Sequence, residues 1–471
     1  MLKKKLFLLF LASTTLLTSC FKDNDDELST ELTEEISFEI KDFIYRGLNF
    51  FYLYKADTPE LANDAFANDD EKNTFLNSFE SPESLFDFLS SPQDRFSFLT
   101  DDYVELINNL NGVTENNGME FGLVRYPDGS GNVFGYVRYV LPNTDAAAKG
   151  LERGIIFNTV DGQQITENNF SELFQPTTYT IGIATFDGEN VTSTSDSVAL
   201  TKAPYTENPV YIANTLIVED QPIGYLLYNA FTRDFDPQLN AAFGQFKADG
   251  ITELVLDLRY NGGGSVSTAT DLAGMITGQF QGQTFYTEEW NADRQDEYAE
   301  PGLFDGVLTT GEALNSLNLT RVYVITTGRT ASASELVING LSPYIDVIQV
   351  GTNTTGKFQA SFLLFDAPAP DFSLNQANPS HTYAMLPLVF KTANVNGVTD
   401  FIDGLTPDVE LGEDYSNLGV LGDEREPLLE ACLNEIFPGR SPDRAPVEIL
   451  EVVGESKQNS PLHQLMIAEQ D

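Results

Sequence analysis

Histidine and cysteine are almost missing from this chain of 471 residues. It has two histidines, His381 and His463, and two cysteines, Cys20 and Cys432. A zinc cluster of Cys and His ligands needs more donors than that. A Ser-His-Asp triad would have to use one of the two imidazoles. Basic residues are scarce as well: 26 Lys+Arg stand against 71 Asp+Glu, for a formal net charge of −45. So acidic a chain repels phosphate backbones and offers no broad basic face to an anionic membrane, which argues against nucleic acid as a partner. Hydrophobic residues are plentiful at 41%, so the chain can bury a core, and at roughly 150 residues per domain its length allows about three domains.

Long apolar runs are also rare. The one at the N-terminus, Leu6 to Leu17, follows Lys3, Lys4 and Lys5 and ends before Thr18, Ser19 and Cys20. It is too short to cross about 30 Å of hydrocarbon as a helix and reads as a signal peptide. Leu17-Thr18-Ser19-Cys20 resembles the lipobox of bacterial lipoproteins, which implies cleavage before Cys20 and lipidation of its thiol. The acidic stretch Lys22–Glu27 is similar to the export tag of Bacteroidetes surface lipoproteins, and a plain solvated tether explains it equally well. The expectation is an exported lipoprotein held to the outer membrane through Cys20. Cys432 is then left without a partner, in a run of helical periodicity that suits a buried structural thiol.

The rest divides by pattern. After a signal peptide (1–19) and an acidic tether (20–34), apolar positions recur at helical spacing over 35–111, as at Ile40, Phe43, Ile44, Leu48 and Phe51. Residues 112–202 carry strand-like runs, including a hairpin turned at Asp128–Asn132. From 203 to 437 apolar strands (223–229, 254–258, 322–326, 347–350) alternate with helical runs (236–248, 266–278, 332–342), the pattern of an α/β domain with a largely parallel sheet. Residues 438–471 are polar and read as a loosely held tail.

Three stretches of the α/β region carry chemistry. In Leu256–Ser265 a buried strand runs into three glycines and a helix, so bare backbone N–H groups can converge on an anionic oxygen. Thr330-Ala-Ser-Ala-Ser-Glu335 sets serines at a helix start, where the dipole favours negative charge; Ser332 and Glu335 also have the spacing of a capping box. Gly351–Lys357 mimics a phosphate-binding loop, but Phe358 stands where the hydroxyl for magnesium belongs. Lys357 is the only ionisable residue between Val347 and Phe365. Apolar burial lowers an amine's pKa and leaves it able to take a proton from a hydroxyl. His381 reads as a loop histidine.

Taken in order, Asp257–Gly264, Ala331–Glu335 and Gly351–Lys357 resemble the carboxyl-terminal processing (tail-specific) serine proteases. Asp403–Val409 is similar to the closing strand region of that family. The resemblance implies an α/β, crotonase-like core, an inserted PDZ-like domain at 112–202 and a small N-terminal helical domain. It implies hydrolysis of peptide bonds in protein or peptide substrates through an acyl-enzyme, without metal or cofactor. The family's serine-to-lysine spacing selects Ser332 as nucleophile, with Lys357 as base. Gln359 or Ser361 would orient the lysine, both sharing its face of a strand. The N–H groups of Gly263 and Ala333 would hold the oxyanion, and Phe121, Gly122 and Leu123, in a loop, would receive a substrate's C-terminus. Two other readings compete: a catalytically inactive relative that binds peptide ends, and a surface protein that binds peptides or glycans for uptake.

Overall fold

The computed structural model describes residues 33–440, 449–458, 460 and 463–469; the signal peptide and Cys20 lie outside them. The chain is a mixed α/β protein with a helical N-terminal region. Helix Glu34–Phe51 starts at Thr33, whose hydroxyl accepts from the Ile36 N–H. It buries the expected stripe Ile40, Phe43, Ile44, Leu48 and Phe51. Shorter helices Asp69–Leu76, Pro82–Leu89 and Tyr103–Leu110 follow.

The central sheet has six strands in the order Val210–Val218, Gln221–Tyr228, Glu253–Asp257, Arg321–Thr326, Asp346–Gly351 and Val409–Glu410. The first pair is antiparallel and the rest run parallel. Alternation along each strand sorts the side chains. Leu254, Leu256, Val322 and Val324 pack with Phe243, Leu272 and Val337 of helices Asp236–Asp249, Val266–Thr277 and Ala333–Leu341. Val255, Tyr323 and Ile325 face Leu429, Cys432 and Leu433 of helix Pro427–Ile436 on the other side. Cys432 is thus a buried thiol, and burial pushes its pKa up.

A second sheet has the order Gly264–Ser265, Met466–Ile467, Gln359–Ser361, Leu388–Ala393, Thr284–Trp290 and Gly302–Leu303. The β-rich region forms a separate sheet around Met119–Arg125, Val133–Val140, Ile156–Val160, Thr178–Phe186 and Val191–Thr201, with its own core. Phe121, Gly122 and Leu123 lie inside its strand Met119–Arg125, not in a loop.

The C-terminal segment differs from the loose tail its polarity suggests. Strand Val452–Glu455 pairs antiparallel with Met119–Arg125, and Met466–Ile467 enters the second sheet. Leu465 and Met466 are buried. Its apolar residues come in short groups such as Val452-Val453 and Leu465-Met466-Ile467, too brief for a periodicity signal yet enough to dock once a groove exists.

Candidate active site

The strand Glu253–Asp257 delivers the glycine loop, and buried charge holds that loop in place. Arg259 is wholly buried; it pairs with Asp257 at 2.7 Å and Glu426 at 2.6 Å. Beyond it, Asn261 donates to the Tyr228 carbonyl, accepts from the Gly263 N–H at 2.9 Å, and its carbonyl accepts from the Ala331 N–H at 3.1 Å. This one amide side chain and its backbone seat the glycine loop against the nucleophile turn.

Gly263 is at φ +106°. A Cβ there would lie 2.7 Å from the Ser332 Cβ and 2.3 Å from the Leu465 carbonyl oxygen. Only glycine allows that approach.

Ser332 sits immediately before helix Ala333–Leu341 with φ +66°, a conformation L-residues rarely adopt. Such a residue costs on the order of 1–3 kcal/mol and needs outside support. Glu335 supplies it. Its carboxylate accepts from the Ser332 N–H at 2.7 Å, Gly356 N–H at 2.7 Å, Lys357 N–H at 2.9 Å and the Thr354 hydroxyl. One buried carboxylate therefore locks the serine turn to the lysine segment, a role beyond a helix cap. Ala333 is the first residue of its helix, where the backbone N–H lacks an intrahelical acceptor. The Gly263 N–H, by contrast, is committed to Asn261 in this structure.

Lys357 is buried. Burial lowers its pKa to about 7, with the charges of Asp94 and Glu335 pulling the other way. Its Nζ lies 4.8 Å from the centre of the Phe96 ring, and it lines a cavity of about 470 Å³. Among the described residues the Ser332 Oγ has no hydrogen-bond partner, and the same holds for the Ser361 Oγ and the Gln359 Oε1. The structure thus brings Gly263, Ser332 and Ala333 together, with the Lys357 segment tied to them through Glu335, but forms no hydrogen bond from lysine to serine. The Gln359 Nε2 is engaged by the Tyr54 hydroxyl at 2.8 Å.

The N-terminal region completes the site, which sequence reasoning missed. Asp94 accepts from the Tyr52 hydroxyl at 2.7 Å and from the Phe96 and Ser97 N–H groups. Arg95 donates to the Gly356 carbonyl at 2.8 Å. These residues sit in a polar stretch, Ser91–Ser97, with nothing local to mark them. His381 is a loop histidine; its Nε2 lies 3.1 Å from Asp366.

Two family models match this chain. The model for peptidase family S41 covers residues 222–366, and that for the peptidase S41 N-terminal domain covers 39–98. The first contains the glycine loop, Ser332 and Lys357; the second contains Asp94 and Phe96. The chain is 28% identical over 167 residues to a carboxyl-terminal-processing protease of Picosynechococcus sp., covering 35% of this chain and 36% of that protein. It is 26% identical over 246 residues to a chloroplastic C-terminal processing peptidase of Tetradesmus obliquus, covering 50% of each. The chain thus spans a third to a half of the length of these curated relatives. Among solved structures, a Bacteroides fragilis protein assigned to the S41 proteases superposes with a TM-score of 0.66 at 25% identity, covering 84% of this chain and 96% of that one. Family models and solved neighbour together support peptidase family S41.

Proposed function

We propose that this protein is a serine endopeptidase of the carboxyl-terminal processing type, acting on protein or peptide substrates through an acyl-enzyme. The observation that carries the reading is the buried Lys357, at a pKa of about 7, joined through Glu335 to a strained serine beside a glycine loop. A lysine of that pKa is half neutral near pH 7 and can act as a general base.

In the proposed reaction the Ser332 hydroxyl attacks the scissile carbonyl carbon while its proton passes to the Lys357 Nζ. The leaving amine then takes that proton. Water, deprotonated by the same amine, attacks the acyl carbonyl; as the bond to the Ser332 Oγ breaks, the amine returns that proton to the serine hydroxyl. The Ala333 N–H faces the developing oxyanion, and Gly263 joins it once its N–H turns from Asn261. Each such donor contributes about 3–4 kcal/mol in comparable sites. Ser361 and Gln359, with unpartnered buried oxygens, are the candidates to steer the amine.

The architecture that goes with this reading is a crotonase-like core carrying a PDZ-like domain at 112–202, whose strand Met119–Arg125 binds a substrate C-terminus by strand addition. An outer-membrane anchor on Cys20 belongs to the same proposal and is checked by mass spectrometry of the membrane-extracted protein. Ser332→Ala and Lys357→Ala should each abolish hydrolysis of an unfolded protein while circular dichroism shows the fold intact. Full activity in either variant rejects the Ser-Lys mechanism.

A further inference from the structure

The two strands that carry the candidate chemistry do not hydrogen-bond to each other. Among the described residues, Gly264–Ser265, from the glycine loop, and Gln359–Ser361, from the lysine segment, are joined by Met466–Ile467, which pairs in parallel with both. The chain's own C-terminal segment therefore fills the slot between them. The Gly264 N–H donates to the Leu465 carbonyl at 2.6 Å, and the Ala468 N–H donates to the Ser361 carbonyl at 3.1 Å. The Leu465 side chain packs with Leu106 and Leu386. With this strand seated, Ser332 is 0% exposed, and it is not among the residues lining the cavity that reaches Lys357.

The same segment covers the β-rich domain. Val452–Glu455 pairs with Met119–Arg125 at the edge of its sheet. Gly454 packs on the Phe170 ring of helix Phe170–Leu173, where a Cβ would come to 2.9 Å. The segment thus lies between a strand and a helix, as an added peptide strand would. Glu455 pins the segment at its middle. Its buried carboxylate lies 2.5 Å from Arg138 of the β-rich domain, 2.5 Å from Arg329 of the loop before Ser332, and 2.8 Å from His463.

We propose that the described C-terminal stretches, 449–458 and 463–469, form an intramolecular inhibitory strap. It occupies the peptide-binding edge of the β-rich domain and the cleft over Ser332 at once, and must leave both before a substrate polypeptide can bind. This inference rests on the peptidase reading and adds its regulation. The occupant is chemically what the cleft would take, an extended backbone with an aliphatic side chain at the glycine loop. An incoming polypeptide competes for the same N–H and C=O groups.

The test uses the full chain and two variants that loosen the strap outside the catalytic residues, Leu465→Asp and Glu455→Ala. Hydrogen exchange should find the amides that face the strap, Phe121, Arg125 and Gly264, protected in the unaltered chain and exposed in both variants. Both variants should hydrolyse an unfolded protein at least tenfold faster by kcat/KM, and a synthetic peptide of residues 449–469 should suppress that gain competitively. Fast exchange at both edges in the unaltered chain overturns the strap. So does measurable turnover in the unaltered chain that neither variant exceeds. If no form turns over substrate while protection is present and then lost as described, the docked strap stands and the hydrolase reading falls.

Discussion

In the proposed reaction Lys357 is the general base, and its burial bears on both activity and stability. The amine must be neutral to accept a proton, so kcat should rise as pH increases through about 7 and level off above it. The same depressed pKa acts on folding. An unfolded chain holds the lysine proton up to about pH 10, whereas the folded chain releases it near 7. Between those values the unfolded state binds more protons, so stability increases with pH across that window. Below pH 7 both states are protonated and the cost of the buried charge is felt in full. Lys357→Met, which keeps the bulk and discards the charge, should be inactive yet more stable than the unaltered chain. Thermal denaturation should show the gain largest at pH 6–7 and shrinking toward pH 10. A lower Tm at pH 6 would contradict the buried-charge account.

The elements around that lysine owe their placement to backbone conformations that few residues permit. Gly263 separates the Ser332 Cβ from the Leu465 carbonyl with no space for a methyl group. Gly263→Ala should cut turnover by at least a hundredfold, because either the serine or the loop must move, and positioning errors of about 1 Å cost that much. Its unfolding free energy should fall by about 1–3 kcal/mol from backbone strain. Steady-state kinetics with a denaturant titration separates the two effects; unchanged turnover would show the glycine to be dispensable. At this scale the sequence was legible wherever a pattern is local. The parallel strands and the helices following them carry their own apolar runs, so helix Val266–Thr277 and strand Arg321–Thr326 lie within a residue or so of the expected positions. The capping spacing of Ser332 and Glu335 was visible too. That Glu335 also binds Gly356 and Lys357 was not, because those partners come from a separate loop, the one before strand Gln359–Ser361.

The whole molecule is tied together by charge buried between its parts. Arg153 of the β-rich domain reaches Glu413 at 2.9 Å and the Tyr260 hydroxyl at 2.7 Å in the core, and Glu413 lies 3.6 Å from Arg259. Burying charges is costly, and removing one partner leaves the other stranded at about 3–5 kcal/mol. Arg153→Ala should therefore destabilise the protein by about 3 kcal/mol in chemical denaturation and loosen the β-rich domain against the core, with faster exchange at Tyr260. A loss below about 1 kcal/mol would mean that Tyr260 and Arg259 satisfy Glu413 without it.

The sequence by itself determined the α/β class, the helical N-terminal region, the glycine loop, the serine turn and the lack of other ionisable residues next to Lys357 along the chain. Each is written in residues close together in the chain, where periodicity and turn chemistry act. Only the tertiary structure decided that Asp94 and Phe96 stand beside Lys357, that Glu335 joins serine and lysine segments, and that the C-terminal strand lies between the two halves of the cleft. Those contacts link residues far apart in sequence. The burial that drives them has no direction of its own, so only the folded backbone selects which distant groups meet.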